Sequence, residues 1–113
     1  MHLNSAALYF FCATATLLAA DWKPADSPLV TPWTAKVTAG HALPEYPRPQ
    51  LERAQWTNLN GLWDYAIRPK SEDRPAQFEG TILVPFAIES ALSGVKRPLT
   101  PDQRLWYRRT FTT

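Results

Sequence analysis

The chain has 113 residues, of which 45% are hydrophobic and 19% charged, a composition typical of one small soluble domain rather than a disordered or collagen-like protein. Its 12 basic and 10 acidic residues give a formal net charge of +2 and are spread along the sequence. Because no basic face is set up to neutralise phosphates, the composition argues against a nucleic-acid partner.

The first twenty residues differ from everything after them. The run from Ala6 to Ala20 carries no charge and is mostly apolar, and Asp21 ends it. A membrane span needs about 20 apolar residues, whereas the core of a signal peptide needs only about 7 to 15. We therefore expect residues 1–20 to be a signal peptide cut near Ala20. A cut after Ala15 and a buried first helix are the alternatives.

Cys12, the only cysteine, lies in this apolar run and is expected to leave with the signal peptide. The mature chain then has no cysteine, which excludes disulfide frameworks and thiolate metal ligands. His41 would be the one histidine left, so the sequence predicts no zinc site, and we interpret this residue as a solvated loop residue. We accordingly assign no metal and no cofactor.

Residues 21–55 are predicted to form an extended lead-in segment. Prolines interrupt any helix here, since each lacks a backbone N–H and disfavours a helical conformation of the residue before it. Aromatic side chains are costly to leave in water, so we expect a strap laid over the following domain, with a free linker as the alternative. The prolines are Pro24, Pro28, Pro32, Pro44, Pro47 and Pro49, and the aromatic residues are Trp22, Trp33 and Tyr46.

From Trp56 onward the hydrophobic period changes to two, which is typical of strands with one buried face. Strands are predicted at 62–68, after the turn pair Asn60-Gly61, at 81–84, before Pro85, and at 105–112. The first strand places Trp63, Tyr65 and Ile67 on one face and Asp64 and Arg68 on the other. The third places Leu105, Tyr107 and Phe111 on one face and Trp106, Arg108 and Thr110 on the other.

Three segments resemble a known family. They are WTNLNGLWDY at 56–65, ILVPFAIESALSGV at 82–95 and LWYRRTF at 105–111. In order and spacing they are similar to the opening strand, the VPF-x-x-ES-x-L-S-G segment and the WYRR-x-F strand of an N-terminal sugar-binding domain. That domain belongs to glycoside hydrolase family 2, the family of β-galactosidases and β-glucuronidases. The resemblance covers roughly residues 44–113.

The resemblance implies an all-β fold, an incomplete jelly-roll β-sandwich like a galactose-binding domain, behind the signal peptide and the proline-rich segment. Such a sandwich has about eight strands, and residues 56–113 supply three, so we expect a domain truncated at its C-terminus. Unpaired strand edges and a small core predict poor stability in isolation.

The resemblance also implies the chemistry of a parent protein. Family members are retaining enzymes that hydrolyse O-glycosyl bonds with two glutamates, held about 5 to 5.5 Å apart, in a later barrel domain. We therefore expect the sugar-binding and scaffold part of a secreted or periplasmic β-glycosidase of carbohydrate metabolism, inactive alone. No catalytic and no substrate-binding residue is assigned. A free-standing, non-catalytic carbohydrate-binding module is the alternative.

The expected partner is a carbohydrate, bound through downstream domains, with no membrane contact after signal cleavage. Galactoside, glucuronide and mannoside enzymes share this N-terminal architecture, so the substrate stays open, as does the oligomeric state.

Polar residues in the motifs are local candidates, each with a plainer interpretation. Glu89 lies in a loop that could face a substrate, but a carboxylate there more often caps a turn or accepts a backbone N–H. Arg108 or Arg109 could clamp a carboxylated sugar. Neighbours on a strand point to opposite faces, so at most one of them serves a given site, and a surface or inter-domain salt bridge is favoured.

Aromatic residues raise the same question, because sugar rings stack on exposed tryptophan and tyrosine side chains. Trp63 and Tyr65 follow the apolar alternation and are predicted to belong to the core. Trp106, beside Arg108, is the better platform candidate, although packing against the lead-in or a following domain is favoured. If the domain contacts substrate, we expect the contact in the 86–104 loop, because the flanking strands hold its ends.

Overall fold

The computed structural model describes residues 22–45, 47–51 and 53–112 of the chain. The predicted signal peptide, Cys12 and Tyr46 lie outside the described residues. Three strands, β1 (Gly61–Pro69), β2 (Gly80–Val84) and β3 (Gln103–Arg108), form one antiparallel sheet in the order β2-β1-β3. The helices in the described ranges are 3-10 turns of three residues, at Thr34–Lys36, Pro49–Leu51 and Ala91–Ser93. This sheet-rich, nearly helix-free structure agrees with the predicted all-β fold.

None of the helices in the described part of the chain has the length and apolar character needed to cross a bilayer.

β1 and β2 begin and end within one residue of their predicted bounds, but β3 is shifted. It begins at Gln103, opposite Pro69, and ends at Arg108, opposite Asp64. The pairing stops there because Arg109 turns its guanidinium onto the backbone before β1, donating from Nη1 to the carbonyl oxygens of Leu59 and Asn60, the latter at 2.8 Å. The predicted continuation to Thr112 is therefore wrong, and Phe111 is exposed beyond the strand.

One face of the sheet is apolar, as the alternation predicts. Ile67 and Ile82 are buried there against Ile88 from the loop after β2. Residues directly opposite each other on paired strands point to the same face, so Leu105 of β3, which is opposite Ile67, also lies on this face. The side chains that pack around this core are Trp63, Tyr65, Val95, Leu99 and Leu105. We call the sheet side that carries Trp63, Tyr65, Ile67, Ile82 and Leu105 the apolar face.

The opposite side, which we call the polar face, carries Asp64 and Arg68 from β1, Thr81 from β2, and Arg104 and Arg108 from β3. It is not uniformly exposed, since Ala66 and Leu83 are also buried on this side.

The loop between β2 and β3 covers part of the apolar face and is held in shape by hydrogen bonds of two serines. The Ser90 hydroxyl accepts a hydrogen bond from the Leu92 N–H and so caps the Ala91–Ser93 turn. Ser93 is fully buried, and its hydroxyl donates to the Ser90 carbonyl at 2.7 Å while accepting from the Val95 N–H at 3.0 Å. Gly94 ends the turn with φ +83°, a conformation that favours glycine.

The lead-in segment contacts this loop. The Ala25 N–H donates to the Ala91 carbonyl at 2.9 Å, and the Trp22 indole N–H donates to the Ser93 carbonyl at 3.4 Å. A Cβ on Gly94 would lie 2.7 Å from Trp22 Nε1, so the indole fits only against glycine.

A second contact of the lead-in lies before β1. There the side-chain amides of Asn58 and Asn60 donate to the Leu43 carbonyl at 3.2 and 3.0 Å.

Candidate functional site

An aromatic cleft of about 410 Å³ lies on the end of the apolar face that the loop leaves open. Tyr107 is opposite Tyr65 in register, so its ring lies diagonally beside Trp63, with the ring centroids 6.3 Å apart and the planes nearly perpendicular. Pro85 and Phe86, which follow β2, form the facing wall. The cleft thus contains residues from all three segments that resemble the family, and we call it the aromatic cleft.

Few polar groups reach the aromatic cleft. The indole N–H of Trp63 donates to the Leu59 carbonyl at 2.8 Å, and the indole ring lines the cleft. Burial raises the pKa of the Tyr107 phenol above its ordinary value, and the negative charge of Glu89 raises it further. Glu89 is exposed and does not cap the loop turn, a role that Ser90 has instead.

A second cavity, of about 460 Å³, lies on the polar face. Asp64 and Arg108 pair across β1 and β3, and Oδ2 of Asp64 accepts from Nε and Nη2 of Arg108 at 2.9 and 2.7 Å. The same guanidinium lies 4.1 Å from the centroid of the Phe78 ring, a cation–π contact that fixes both groups. We call this cavity the polar groove. It is lined by Asp64, Ala76, Gln77, Phe78, Glu79, Gly80, Thr81 and Arg108.

Glu79 organises the edge of the polar groove. Its Oε1 accepts from the Ile67 N–H at 3.0 Å and from Arg68, and its Oε2 accepts from Arg97 at 3.0 Å. Partial burial raises the pKa of Glu79, but the Ile67 N–H and the two guanidiniums outweigh it and hold the pKa below the ordinary value. The carboxylate thereby joins β1 to the loop after β2.

The remaining sequence candidates are separated from these sites. Arg109 follows β3 and holds the backbone before β1, whereas Arg108 pairs with Asp64, so the two guanidiniums have different partners. Trp106 is half-buried under the Arg104 guanidinium, 5.5 Å from its ring centroid, and its indole N–H is buried without a partner among the described residues. His41 is exposed in the lead-in.

Sequence reasoning missed Phe78 and Glu79. Both lie just before β2, in a stretch without alternation, and their importance comes from contacts with β3 and with the loop. The Asp64–Arg108 pair could have been found, because both residues fall on the polar side of their predicted strands. The pairing of β1 with β3, however, had to be known first.

No group of three histidine, cysteine, aspartate or glutamate side chains that could hold a metal ion occurs within the described ranges. The chain matches no model of a known protein family, and a search of curated proteins finds no match either.

Proposed function

We propose that this chain is the sugar-binding and scaffold part of a secreted or periplasmic β-glycosidase that resembles glycoside hydrolase family 2. In this proposal it serves the hydrolysis of O-glycosyl bonds without supplying the catalytic glutamates. Its part is to hold the sugar and to support the domain that carries the chemistry.

The observation that carries the proposal is the convergence of the three motif segments. Residues 56–65, 82–95 and 105–111 are distant in sequence, yet they contain or border adjacent strands of one sheet. Each also contributes a ring to the aromatic cleft: Trp63, Phe86 and Tyr107. A cleft with rings on its walls suits the C–H face of a sugar, which packs on aromatic surfaces.

The proposed finer architecture is a jelly-roll sandwich of which β1, β2 and β3 form part of one sheet. The apolar face supports this proposal, because its side chains alternate with those of the polar face and bury Ile67 and Ile82, as the inner face of a sandwich sheet does.

The carboxylates also support a non-catalytic role. A retaining glycosidase needs a protonated carboxylic acid, whose pKa is raised, facing a second carboxylate. The pKa of Glu79 is shifted the other way, and that of Asp102 is lowered by hydrogen bonds from the Thr100 hydroxyl and its own backbone N–H. Asp64 is paired with Arg108.

The proposal is tested with the full chain in solution. We expect no hydrolysis of chromogenic β-galactosides, β-glucuronides or β-mannosides. We also expect saturable binding of at least one of the matching methyl β-glycosides, followed by tryptophan fluorescence. Turnover of any chromogenic glycoside contradicts the non-catalytic assignment, and the absence of saturable binding to all of them contradicts the sugar-binding role.

The alternative, a free-standing carbohydrate-binding module, makes the same binding prediction but differs in the gene. A reading frame that continues past Thr113 into a barrel with two glutamates supports the enzyme. A stop codon at that point supports the module.

A further inference from the structure

We propose that the polar groove is a binding site for a neutral polyhydroxylated ligand, namely the hydroxyl face of an uncharged sugar. The inference rests on the proposed function and names the place and ligand class of one contact, on the side of the sheet opposite the aromatic cleft.

The register places three polar side chains in one row across the sheet. Asp64, in the central strand, is opposite Thr81 in β2 and opposite Arg108 in β3. Side chains directly opposite one another point to the same face, and adjacent strands lie about 4.8 Å apart, so the row spans roughly 10 Å.

The row keeps hydrogen-bonding capacity after its internal contacts are made. Nε and Nη2 of Arg108 both donate to the same oxygen of Asp64, Oδ2. Within the part of the chain that the structure describes, Oδ1 of Asp64, Nη1 of Arg108 and the Thr81 hydroxyl make no side-chain hydrogen bond. These groups are an acceptor, a donor, and one that can do either. A sugar hydroxyl both donates and accepts, so this set is complementary to it.

The charges of the polar groove favour a neutral ligand. Each charged side chain that lines the cavity already has an ion-pair partner: Asp64 and Arg108 pair with each other, and Glu79 pairs with Arg68 and Arg97, which do not line it. An anion would meet Asp64 beside the one guanidinium that lines the cavity, and a cation would meet Arg108 beside the carboxylates. An uncharged polyol meets neither repulsion, and charge-assisted hydrogen bonds to its hydroxyls are stronger than neutral ones.

Phe78 adds an apolar surface to the polar groove. Its ring lines the cavity, and the Arg108 guanidinium lies over one ring face, so that the rest of the ring is the part left to contact a ligand. The same guanidinium therefore contacts this ring and forms one end of the polar row. This coupling makes Arg108 the residue whose loss has the largest expected effect on binding.

The test is an NMR titration of the full chain, wild type and variants, with methyl β-galactoside, methyl β-glucoside and methyl β-glucuronide. Arg108→Met removes the guanidinium, and Thr81→Val removes one hydroxyl at constant shape. Arg104→Met is the matched control, because Arg104 lies on the same strand and the same face but contacts Trp106 instead of the polar groove. The amide spectrum of each variant reports whether it is folded.

We expect a neutral glycoside to shift the backbone amide signals of Asp64, Thr81 and Arg108 saturably. Its dissociation constant should rise about tenfold in Arg108→Met and about threefold in Thr81→Val, the sizes expected for losing a charged and a neutral hydrogen bond. Arg104→Met should bind like the wild type. If Arg108→Met does not fold, the Thr81→Val result decides the question.

Three outcomes overturn the inference. Equal weakening by Arg108→Met and Arg104→Met would show a general charge effect, and tighter binding of the glucuronide than of both neutral glycosides would show an anion site. Shifts confined to Trp63, Phe86 and Tyr107 would place the sugar in the aromatic cleft, in which case the inference fails while the proposed function stands. The absence of saturable shifts anywhere sinks both.

Discussion

The two faces of the sheet are dominated by different interactions, apolar burial on one and partly exposed ion pairs on the other. The apolar face buries Ile67 and Ile82 under Ile88, so its stability comes from apolar area removed from water. The polar face keeps Asp64 and Arg108 partly exposed, with 39% and 49% of their side chains accessible, so their ion pair contributes little to stability. A pair that contributes little to stability is free to serve recognition.

Side chains on the two faces should therefore affect different properties of the chain. Substitutions on the apolar face should change the free energy of unfolding, whereas substitutions in the polar groove should change ligand affinity at nearly constant stability. Glu79, which joins β1 to the loop after β2, should show a small and pH-dependent effect on stability.

The largest effect is expected from Ile82→Ala. Ile82 is completely buried in the centre of the apolar face, and removing its side chain leaves a cavity between β2 and the loop. We expect the free energy of unfolding in urea to fall by about 3 kcal/mol. Thr81→Ala, one position earlier on the exposed side of β2, should change it by less than about 0.5 kcal/mol. Similar losses at the two positions would refute the division between the faces.

Gly94→Ala tests the attachment of the lead-in to the loop that covers the apolar face. Its left-handed φ is strained for alanine, and the new Cβ would meet the Trp22 indole. We expect a loss of about 1–2 kcal/mol in unfolding free energy and faster hydrogen exchange at the Ala25 N–H. Gly40→Ala, where nothing lies within 4 Å of the added Cβ, is the control and should change neither. Unchanged exchange in Gly94→Ala would show that this contact is not formed in solution.

The sequence alone predicted the strands and their faces, because an alternation such as Trp63, Tyr65 and Ile67 is a local signal read within one segment. It did not predict the end of β3, since that depends on Arg109 reaching carbonyls about fifty residues earlier. Glu79 and Phe78 were missed for the same reason. The partners that define their roles, Arg97 for one and Arg108 for the other, are distant in sequence and meet them only after the strands pair.

The smallest loss of unfolding free energy is expected from Glu79→Gln, which weakens the link between β1 and the loop without creating a cavity in the core. The substitution keeps an acceptor for the Ile67 N–H but removes the charge that pairs with Arg68 and Arg97. These groups are partly exposed, so we expect a loss of about 1 kcal/mol at pH 7, measured by urea unfolding. Glu72→Gln, an exposed glutamate outside this network, is the control and should leave stability unchanged.

The pH dependence distinguishes this ion pairing from a change of shape. Because the pKa of Glu79 is lower in the folded chain, its charge contributes stability above the pKa of an unfolded glutamate, about 4.3. The contribution is lost as the pH falls through the lower folded value, when the carboxylate takes up a proton. The difference between wild type and Glu79→Gln should therefore be constant from pH 6 to 8 and shrink below about pH 4. A difference that persists unchanged into acid would mean that the glutamine disturbs packing, and that the charge of Glu79 does not join β1 to the loop.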